Sequence, residues 1–353
     1  MIDEADQVGT MPVPDSDRFD EAALALWLRT NVDGYSGGLA LSRFKGGQSN
    51  PTYRIDTPAK SYVLRRKPFG ELLPSAHAVD REYRVIAALH PTGFPVPRPF
   101  GLCEDEGVIG AAFYVMELVE GRTYWDGAMP AASPAERGAV YDELADVLAR
   151  LHAIQPVAVG LADYGRPGNF FERQVTRWTR QYDASRTDDV PEMDRLIAFL
   201  PATLPAQQGS TIVHGDYRID NLIFASDGKA LAVLDWELST LGDPMADLAY
   251  LLVNWVMPHE GRAALGGLDI EALGIPSLEI LAERYCVASG RSAVPPLDWY
   301  FAFNLFRLAG IVQGIRKRVI DGNAASAQAA EMAKQVEPLA QAAWSFAVKA
   351  GAE

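Results

Sequence analysis

The sequence predicts an α+β fold of two lobes, a small β-rich lobe followed by a larger, mainly helical one. A chain of 353 residues is longer than one hydrophobic core usually supports, so two joined lobes are expected. Short β-type runs separated by Gly, Pro and Asp fill residues 39–67, and helical periodicity dominates after residue 133. We therefore expect a flexible leader over residues 1–20, the small lobe over 21–121 and the helical lobe over 122–353.

The small lobe is predicted to contain a short helix, several strands and one longer helix. The segment DEAALALWLRT places Leu24, Trp27 and Leu28 on one helical face. The runs LALSRF, PTYRIDT and SYVLRRK alternate or carry β-branched residues, as antiparallel strands do. VDREYRVIAAL then predicts a helix that ends at the proline-rich PTGFPVPRPFG. A further β pair follows in GLCEDEGVIGAAFYVMELVEG and closes the lobe at Gly121.

The helical lobe begins with a clear helix start. Ser133 precedes Pro134 at the first helical position, and Glu136 is placed to complete a capping box. Apolar residues then recur at helical spacing as far as the LHAIQP segment. Further helices are predicted at about 170–183, 192–200, 243–256, 297–320 and 324–349.

Composition excludes several classes of function. The two cysteines, Cys103 and Cys286, lack metal-ligand spacing and fit a reducing cytoplasm rather than a disulfide framework or structural zinc. A formal charge of -14 disfavours nucleic acid and anionic membrane surfaces as partners. The apolar runs fall short of the roughly 20 residues that span a bilayer, and the N-terminus lacks the features of a secretory signal. A cytoplasmic location is therefore expected.

The segment IVHGDYRIDNLIF combines three polar residues in the spacing His-x-Asp-x4-Asn between apolar runs. Phosphoryl transfer needs a carboxylate that orients the attacking hydroxyl and accepts its proton, a role that Asp216 fits. Asn221 and Asp235, which ends the apolar run ALAVLD, offer oxygen ligands for Mg²⁺. A single loop aspartate is more often a turn former or helix cap, but the joint spacing favours a catalytic site. His214 is expected to brace the loop rather than to contact substrate.

Phosphate binding is predicted where a glycine pair lies between two strands. The residues that would cover the phosphates are Gly46, Gly47, Gln48 and Ser49. Alone, this pair is more typical of a plain turn. The order of the following elements favours the kinase plan: a cation on the next strand, Arg65, and an acid on the next helix, Glu82. The alternative places Arg65 and Glu82 on solvated faces. A P-loop is not supported, because no G-x-x-x-x-G-K-[ST] occurs.

Seven segments carry a family resemblance: GGQSNPTY, YVLRRKP, REYRVIAAL, FYVMELVEG, IVHGDYRIDNLIF, VLDWELSTLGDPMADLAY and FRLAGIVQGIRKR. By these segments residues 38–345 resemble the aminoglycoside phosphotransferase and choline kinase superfamily. The chain is most similar to the kinase-like domains found fused to, or encoded alongside, acyl-CoA dehydrogenases. The resemblance implies a bilobal protein-kinase-like fold that uses ATP and Mg²⁺ to phosphorylate a small-molecule acceptor.

The resemblance also assigns roles to individual residues. It implies that the backbone of Glu117 and Val119 pairs with adenine beyond Met116. Arg65 occupies the strand position where the family usually has lysine, and it would contact the α and β phosphates while Glu82 holds it. Arginine is a rigid fork and lysine a flexible point charge, so the phosphate geometry need not be the same as in the rest of the family. Asp247, in GDPMADLAY, would buttress the catalytic loop.

The acceptor is the least determined part of the prediction. Cationic acceptors such as aminoglycosides and choline call for acidic or aromatic pockets, whereas an acyl-CoA calls for cations and an apolar groove. Basic helices in an acidic chain favour an anionic acceptor, although solvated helix faces also explain such charges. The candidate acceptor residues are Arg173, Arg177, Trp178 and Arg307. The resemblance favours a hydroxyacyl-CoA and a functional link to an acyl-CoA dehydrogenase. An aminoglycoside or other amino-alcohol kinase and a nucleotide-binding pseudokinase remain alternatives.

Overall fold

The computed structural model describes residues 9–45, 50–70, 78–259, 263–322 and 329–353. It confirms the predicted α+β class, with a β-sheet lobe followed by a helical lobe. The glycine pair and its neighbours, Gly46, Gly47, Gln48 and Ser49, lie outside the described residues.

The small lobe is built on one antiparallel sheet. Its strands are β1 (Thr10–Met11), β2 (Ala40–Phe44), β3 (Thr52–Asp56), β4 (Ser61–Arg66), β5 (Pro99–Cys103) and β6 (Phe113–Glu117). They are arranged in the order β1-β2-β3-β4-β6-β5. Alternate residues of β4 face opposite sides of the sheet, because side chains alternate along a strand. Tyr62 and Leu64 join one apolar cluster and Val63 joins the other.

The segment before the first helix belongs to this sheet. Thr10 and Met11 pair with β2, although residues 1–20 were expected to form a flexible leader. The carboxylate of Asp17 lies 3.1 Å from the guanidinium of Arg66, which is fully buried. A buried cation is stable only when it is paired, so Asp17 fixes the segment to the strands. Residues 1–8 are outside the described part of the chain.

Two helices cover the two faces of the sheet. α1 (Glu21–Asn31) is capped by Asp20 and packs Leu24 and Leu28 on the outer face. α2 (Val79–Leu89) covers the inner face, where its apolar residues join the same core as the helical lobe. The inner face of the sheet therefore shares its core with the helices that follow.

The helical lobe contains α3 (Pro134–Ala153), α4 (Phe170–Ser185), α5 (Pro191–Ala202), α6 (Met245–Leu252), α7 (Ile270–Leu273), α8 (Leu278–Ser289), α9 (Asp298–Ile320), α10 (Ala329–Met332) and α11 (Val336–Lys349). The predicted capping box is present, because the Ser133 hydroxyl accepts from Glu136 N and the Glu136 carboxylate accepts from Ser133 N. None of the helices in the described part of the chain is long and apolar enough to cross a membrane.

The last helical stretch differs from the continuous helix predicted over 324–349. A 3₁₀ turn at Ala333–Gln335 separates α10 from α11. Pro338 explains this break, because proline has no N–H to donate to the preceding turn and its ring crowds the carbonyl four residues earlier. Proline is well tolerated in the first turn of a helix, and α11 accordingly begins at Val336, two residues before Pro338.

Two small antiparallel pairs lie between α5 and α6. They join β7 (Thr211–Val213) to β10 (Thr240–Gly242) and β8 (Leu222–Phe224) to β9 (Ala230–Val233). The polar segment His-x-Asp-x4-Asn runs from the end of β7 to the start of β8. The pairing of β8 with β9 brings the residue before β8 alongside the residues that follow β9.

Candidate active site

The loop after β7 is held by a buried carboxylate. Asp247 accepts hydrogen bonds from the backbone N–H groups of His214, at 2.6 Å, and Gly215, at 2.8 Å. The ring of His214 is fully buried, and its Nε2 lies 2.8 Å from the carbonyl oxygen of Leu234. Asp247 therefore contacts the loop backbone, and His214 connects the loop to the residue before Asp235.

Gly215 allows the loop to turn towards the cleft. Its φ is +86°, a region that residues with a Cβ rarely adopt. A Cβ at this position would lie 2.6 Å from the carbonyl oxygen of Leu238. The Gly215 carbonyl accepts a hydrogen bond of 2.7 Å from Nη2 of Arg307, which reaches the loop from α9.

The carboxylate of Asp216 has several polar neighbours. Nδ2 of Asn221 donates to it at 3.0 Å, and Nε of Arg218 lies 3.3 Å from it. The hydroxyl of Tyr250 also donates a hydrogen bond to it. Burial raises the pKa of this carboxyl, but Arg218, Arg307 and the Tyr250 hydrogen bond outweigh burial, so the pKa lies below its usual value. Asp216 is thus an ionised hydrogen-bond acceptor.

The pairing of β8 with β9 brings Asp235 beside the loop of residues 214–221, which we call the catalytic-type loop. The N–H of Leu234 donates to the carbonyl oxygen of Asn221 at 2.8 Å, and Asp235 is the next residue. Asp235 has a φ of +64°, one of few positive values at non-glycine residues in the described part of the chain. Such strain is stored only where the surroundings enforce it, and functional sites are common places for it.

Arg65 connects the sheet to this site. Its Nε lies 2.8 Å from a carboxylate oxygen of Glu82 on α2, and its Nη2 lies 2.7 Å from an oxygen of Asp235. Glu82 also accepts from Asn50 at 2.7 Å and from the hydroxyl of Tyr114 at 3.1 Å. Arg65 is 8% exposed and Glu82 is 1% exposed, which excludes the alternative that both lie on solvated faces.

The segment after β6 joins the two lobes. Met116 is buried at the end of the strand, and the N–H of Glu117 is already bonded to the carbonyl oxygen of Arg98 at 2.9 Å. The residues just beyond, including Val119, lead to Arg122, which exchanges two backbone hydrogen bonds of 2.8 Å with Phe224 in β8. The segment that joins the two lobes is therefore hydrogen-bonded directly to β8, the strand that follows Asn221.

Asn221 and Asp235 have the chemistry that Mg²⁺ requires. The amide nitrogen of Asn221 is used by Asp216, which leaves the amide oxygen for a cation. The side chain of Asp235 is one-third exposed and thus accessible from the cleft. Magnesium commonly uses one or two protein oxygens together with substrate phosphates and water. The residues fit such an ion. Among the described residues no group of three His, Cys, Asp or Glu forms a self-sufficient metal site.

The candidate acceptor residues are distributed over α4 and α9. The ring of Trp178 lies between two guanidinium groups, with its centroid 5.4 Å from Cζ of Arg177 and 5.2 Å from Cζ of Arg307. Arg307 reaches the loop at Gly215, whereas Arg173 lies in the first turn of α4 and donates a hydrogen bond of 2.6 Å to the carbonyl oxygen of Arg166. Of the four candidates, Arg307 is thus the one that bonds to the loop.

Sequence reasoning did not identify Arg218 and Tyr250, although both contact Asp216. Arg218 lies inside the motif itself and its charge could have marked it. Tyr250 lies three residues after Asp247, a spacing that places two helical residues on the same face. Its position on α6 was the available signal.

These features define a class. The molecule has two lobes and an arginine–glutamate pair between sheet and helix. It also has a loop that places Asp216 and Asn221 beside Asp235. This combination is that of a small-molecule kinase. A model of the phosphotransferase enzyme family matches residues 40–281, which is more than half of the chain. The chain belongs to this family.

Curated relatives match nearly the whole chain. Acyl-CoA dehydrogenase family member 10 of Mus musculus is 44% identical over 97% of this chain and 32% of its own length. Acyl-CoA dehydrogenase family member 11 of Gallus gallus is 42% identical over 94% of this chain and 44% of its own length. The chain therefore spans less than half the length of these curated relatives.

Solved structures share the fold. A protein of Ralstonia eutropha JMP134 assigned to the aminoglycoside phosphotransferases is 48% identical, with a TM-score of 0.86 over 94% of this chain and 99% of that chain. An aminoglycoside phosphotransferase in ternary complex with ADP and hygromycin B is 14% identical, with a TM-score of 0.59 over 91% of this chain and 97% of that chain. The second similarity supports the fold alone.

Proposed function

We propose that this chain transfers the γ-phosphate of ATP to a hydroxyl group of a small molecule in a Mg²⁺-dependent reaction. The observation that carries the proposal is that Asp216, Asn221 and Asp235 lie close together, with the Arg65–Glu82 pair beside them. Phosphoryl transfer is catalysed mainly by positioning and charge stabilisation, and this set supplies both.

Each residue has a distinct role in the proposal. Asp216, ionised and hydrogen-bonded, orients the acceptor hydroxyl and takes its proton. Asn221 and Asp235 hold Mg²⁺, which supplies positive charge against the phosphates. Arg65 binds the α and β phosphates and is oriented by Glu82. The adenine pairs with the backbone of Glu117 and Val119; because the N–H of Glu117 is bonded within the sheet, its carbonyl is the group that is left.

The segment with Gly46, Gly47, Gln48 and Ser49 completes the nucleotide site in this proposal. It connects β2 to β3 at the edge where Arg65 begins its contacts. Glycines let a backbone approach an anion closely, and successive N–H groups can then bind its oxygens. Support for nucleotide use comes from the ADP bound in the ternary complex of the same fold.

The acceptor in this proposal is a hydroxyacyl-CoA or a related hydroxylated acyl compound. The relatives are acyl-CoA dehydrogenase family members, in which such a domain would act on acyl compounds handled by the same chain. The charges at the acceptor side also favour it, since Arg177 and Arg307 would repel a cationic amino sugar or choline. The aminoglycoside alternative rests on the solved structure from Ralstonia eutropha JMP134.

A panel of acceptors tests the proposal. The protein is incubated with ATP, Mg²⁺ and, separately, hydroxyacyl-CoAs, an aminoglycoside and choline, and ADP release is measured. Hydroxyacyl-CoAs should stimulate turnover, and Asp216→Asn should lower it by about 10²–10⁴-fold. Asp321→Asn, an exposed acid at the end of α9, is the matched control and should leave turnover unchanged.

Two results would count against parts of the proposal. Stimulation by an aminoglycoside or choline and not by hydroxyacyl-CoAs would overturn the acceptor and leave the kinase chemistry standing. ADP release that is equal in the wild type and in Asp216→Asn would favour a nucleotide-binding pseudokinase.

A further inference from the structure

An open cleft of about 590 Å³ at the start of α4 is lined by arginines. Arg166, Arg173, Arg177 and Arg180 all contribute to its wall, together with one carboxylate, that of Glu172. Arg173, Arg177 and Arg180 follow one another on neighbouring turns of the helix, and Arg166 approaches from the preceding loop. A concentration of positive charge in a chain of net charge -14 requires an explanation.

These arginines differ from several basic residues of the helical lobe that have carboxylate partners. Arg186 pairs with Asp194 at 2.8 Å, Arg195 with Glu192 at 2.9 Å, and Arg316 with Glu337 at 2.5 Å. Within the described ranges, no carboxylate forms an ion pair with any of the four cleft arginines. The cleft therefore carries an excess of positive charge, with four arginines and one carboxylate in its wall.

One of the four arginines is held in place by the backbone. Arg173 donates to the carbonyl oxygens of Gly168 and Arg166, the second at 2.6 Å. These bonds use neutral acceptors, so they orient the guanidinium group and leave its charge available. An oriented guanidinium presents paired N–H donors that match the oxygens of a phosphate group.

One residue of the cleft wall, Arg177, contacts a side chain that also contacts a residue at the Asp216 loop. Arg177 at the cleft and Arg307 at the catalytic-type loop flank the same Trp178 ring, and Arg307 bonds to Gly215, the neighbour of Asp216. Trp178 is 5% exposed and Arg307 is 8% exposed, yet Nε1 of Trp178 and Nε of Arg307 have no hydrogen-bond partner. Trp178 and Arg307 thus form a buried contact between Arg177 at the cleft wall and the loop at Gly215.

We propose that the cleft formed by Arg166, Arg173, Arg177 and Arg180 binds the phosphate groups of the carrier to which the acceptor is attached. The acceptor is then a phosphate-bearing thioester such as an acyl-CoA, with its phosphates in the cleft and its hydroxyl at Asp216. This inference rests on the proposed kinase function and adds the binding site that selects the carrier.

A comparison of two carriers tests the inference. The same hydroxyacyl group is supplied as its CoA thioester and as its phosphate-free pantetheine thioester, and KM and kcat are measured for each. The wild type should show a KM lower by about tenfold or more for the CoA thioester, since hydrogen bonds to charged groups are the stronger ones. The double variant Arg166→Gln/Arg180→Gln should lose this preference and keep kcat and the KM for the pantetheine thioester.

Arg29→Gln, an exposed arginine on α1, is the matched control and should retain the wild-type preference. Equal KM values for the two thioesters in the wild type would overturn the inference, and so would a preference that survives in the double variant. Either result would leave the kinase proposal intact.

Binding without turnover separates the two proposals further. CoA itself is titrated calorimetrically into the protein with Mg²⁺ and saturating AMP-PNP, so that the nucleotide site is already filled. CoA should bind to the wild type and about tenfold or more weakly to the double variant. Absence of CoA binding, or equal binding to both proteins, would refute the phosphate site even if no acceptor of the panel is turned over.

Discussion

Arg65 is the residue on which the two halves of the site depend. Its guanidinium group lies 2.8 Å from the carboxylate of Glu82 on α2 and 2.7 Å from that of Asp235 after β9. Burial raises the pKa of Glu82 above its ordinary value, even though the charge of Arg65 lowers it. The buried carboxyl therefore relies on its guanidinium partner. A lysine has one ammonium group and could not bridge two carboxylates in the same fork-like way.

Replacing Arg65 tests this dependence. Arg65→Met should reduce the free energy of unfolding by about 3–5 kcal/mol, because it leaves Glu82 buried without its cation. Urea denaturation followed by tryptophan fluorescence would measure the change. The double variant Arg65→Met/Glu82→Gln should recover part of the loss, since its carboxamide carries no charge. No recovery in the double variant would mean that lost packing, and not the unpaired charge, causes the destabilisation.

Arg65→Lys addresses function instead of stability. It preserves the charge and should fold, but it should raise the KM for ATP by about tenfold because one of the two contacts is lost. Steady-state kinetics with varied ATP would show the change. An unchanged KM would indicate that charge alone, and not the planar fork, is needed at this position.

At the scale of elements, the loop after β7 depends on a glycine. Gly215→Ala would place a Cβ 2.6 Å from a backbone oxygen of Leu238 at a φ of +86°. Strain of this kind costs about 1–3 kcal/mol, and relieving it would displace the neighbouring Asp216. We expect a loss of stability in urea denaturation together with a larger loss of kcat. Gly228→Ala, in the turn between β8 and β9 with a φ of +83°, is the matched control and should lose stability with little loss of kcat.

An ion pair joins α9 to the last helix. The carboxylate of Glu337 lies 2.7 and 2.5 Å from two nitrogens of Arg316, which lowers the pKa of Glu337 from its ordinary 4.5. A lowered pKa in the folded state means that the stabilisation is complete above the unfolded value and is lost as pH falls through the folded one. Since Glu337 is nearly half exposed, the pair contributes only about 0.5–1 kcal/mol.

Glu337→Gln tests this contribution. The variant should be less stable than the wild type at pH 7, and the difference should shrink as pH falls below about 4.5. Urea denaturation of both proteins at a series of pH values would measure it. A difference that persists at pH 3 would show that the pair acts through hydrogen bonding or packing and not through its charge.

Local chemical signals explain which elements the sequence predicts. The capping box at Ser133 is set by residues three apart, and the alternation in SYVLRRK is set by the sheet itself. β1 was missed because two residues carry no periodicity, and Asp17 is fixed by a partner 49 positions away. The same holds for the site. The spacing of Asp216 and Asn221 is local, whereas the contacts of Tyr250 and Arg307 depend on how the helices pack.

At the scale of the whole molecule, the two lobes share one core. Residues of α2 and of the inner sheet face belong to the same apolar cluster as α3 to α9, while α1 and the outer face form a separate one. Hydrogen bonds also connect the two lobes. The N–H of Val233 donates to the carbonyl oxygen of Pro95 at 2.8 Å, and Arg81 donates to the carbonyl oxygen of Tyr164 at 2.8 Å. A ligand bound between the lobes would therefore stabilise the molecule as a unit.

Ligand-induced stabilisation gives a test at this scale. A ligand that binds only the folded state at 100 times its Kd adds about 2.7 kcal/mol to the free energy of unfolding. AMP-PNP with Mg²⁺ should therefore raise the Tm of the wild type, measured by calorimetry. Asp235→Asn should reduce the shift, because it removes a proposed ligand of the ion. With EDTA in place of Mg²⁺, wild type and variant should differ much less in their response to AMP-PNP. Equal shifts with and without Mg²⁺ in the wild type would show that nucleotide binding does not depend on the ion, and would contradict the role proposed for Asp235.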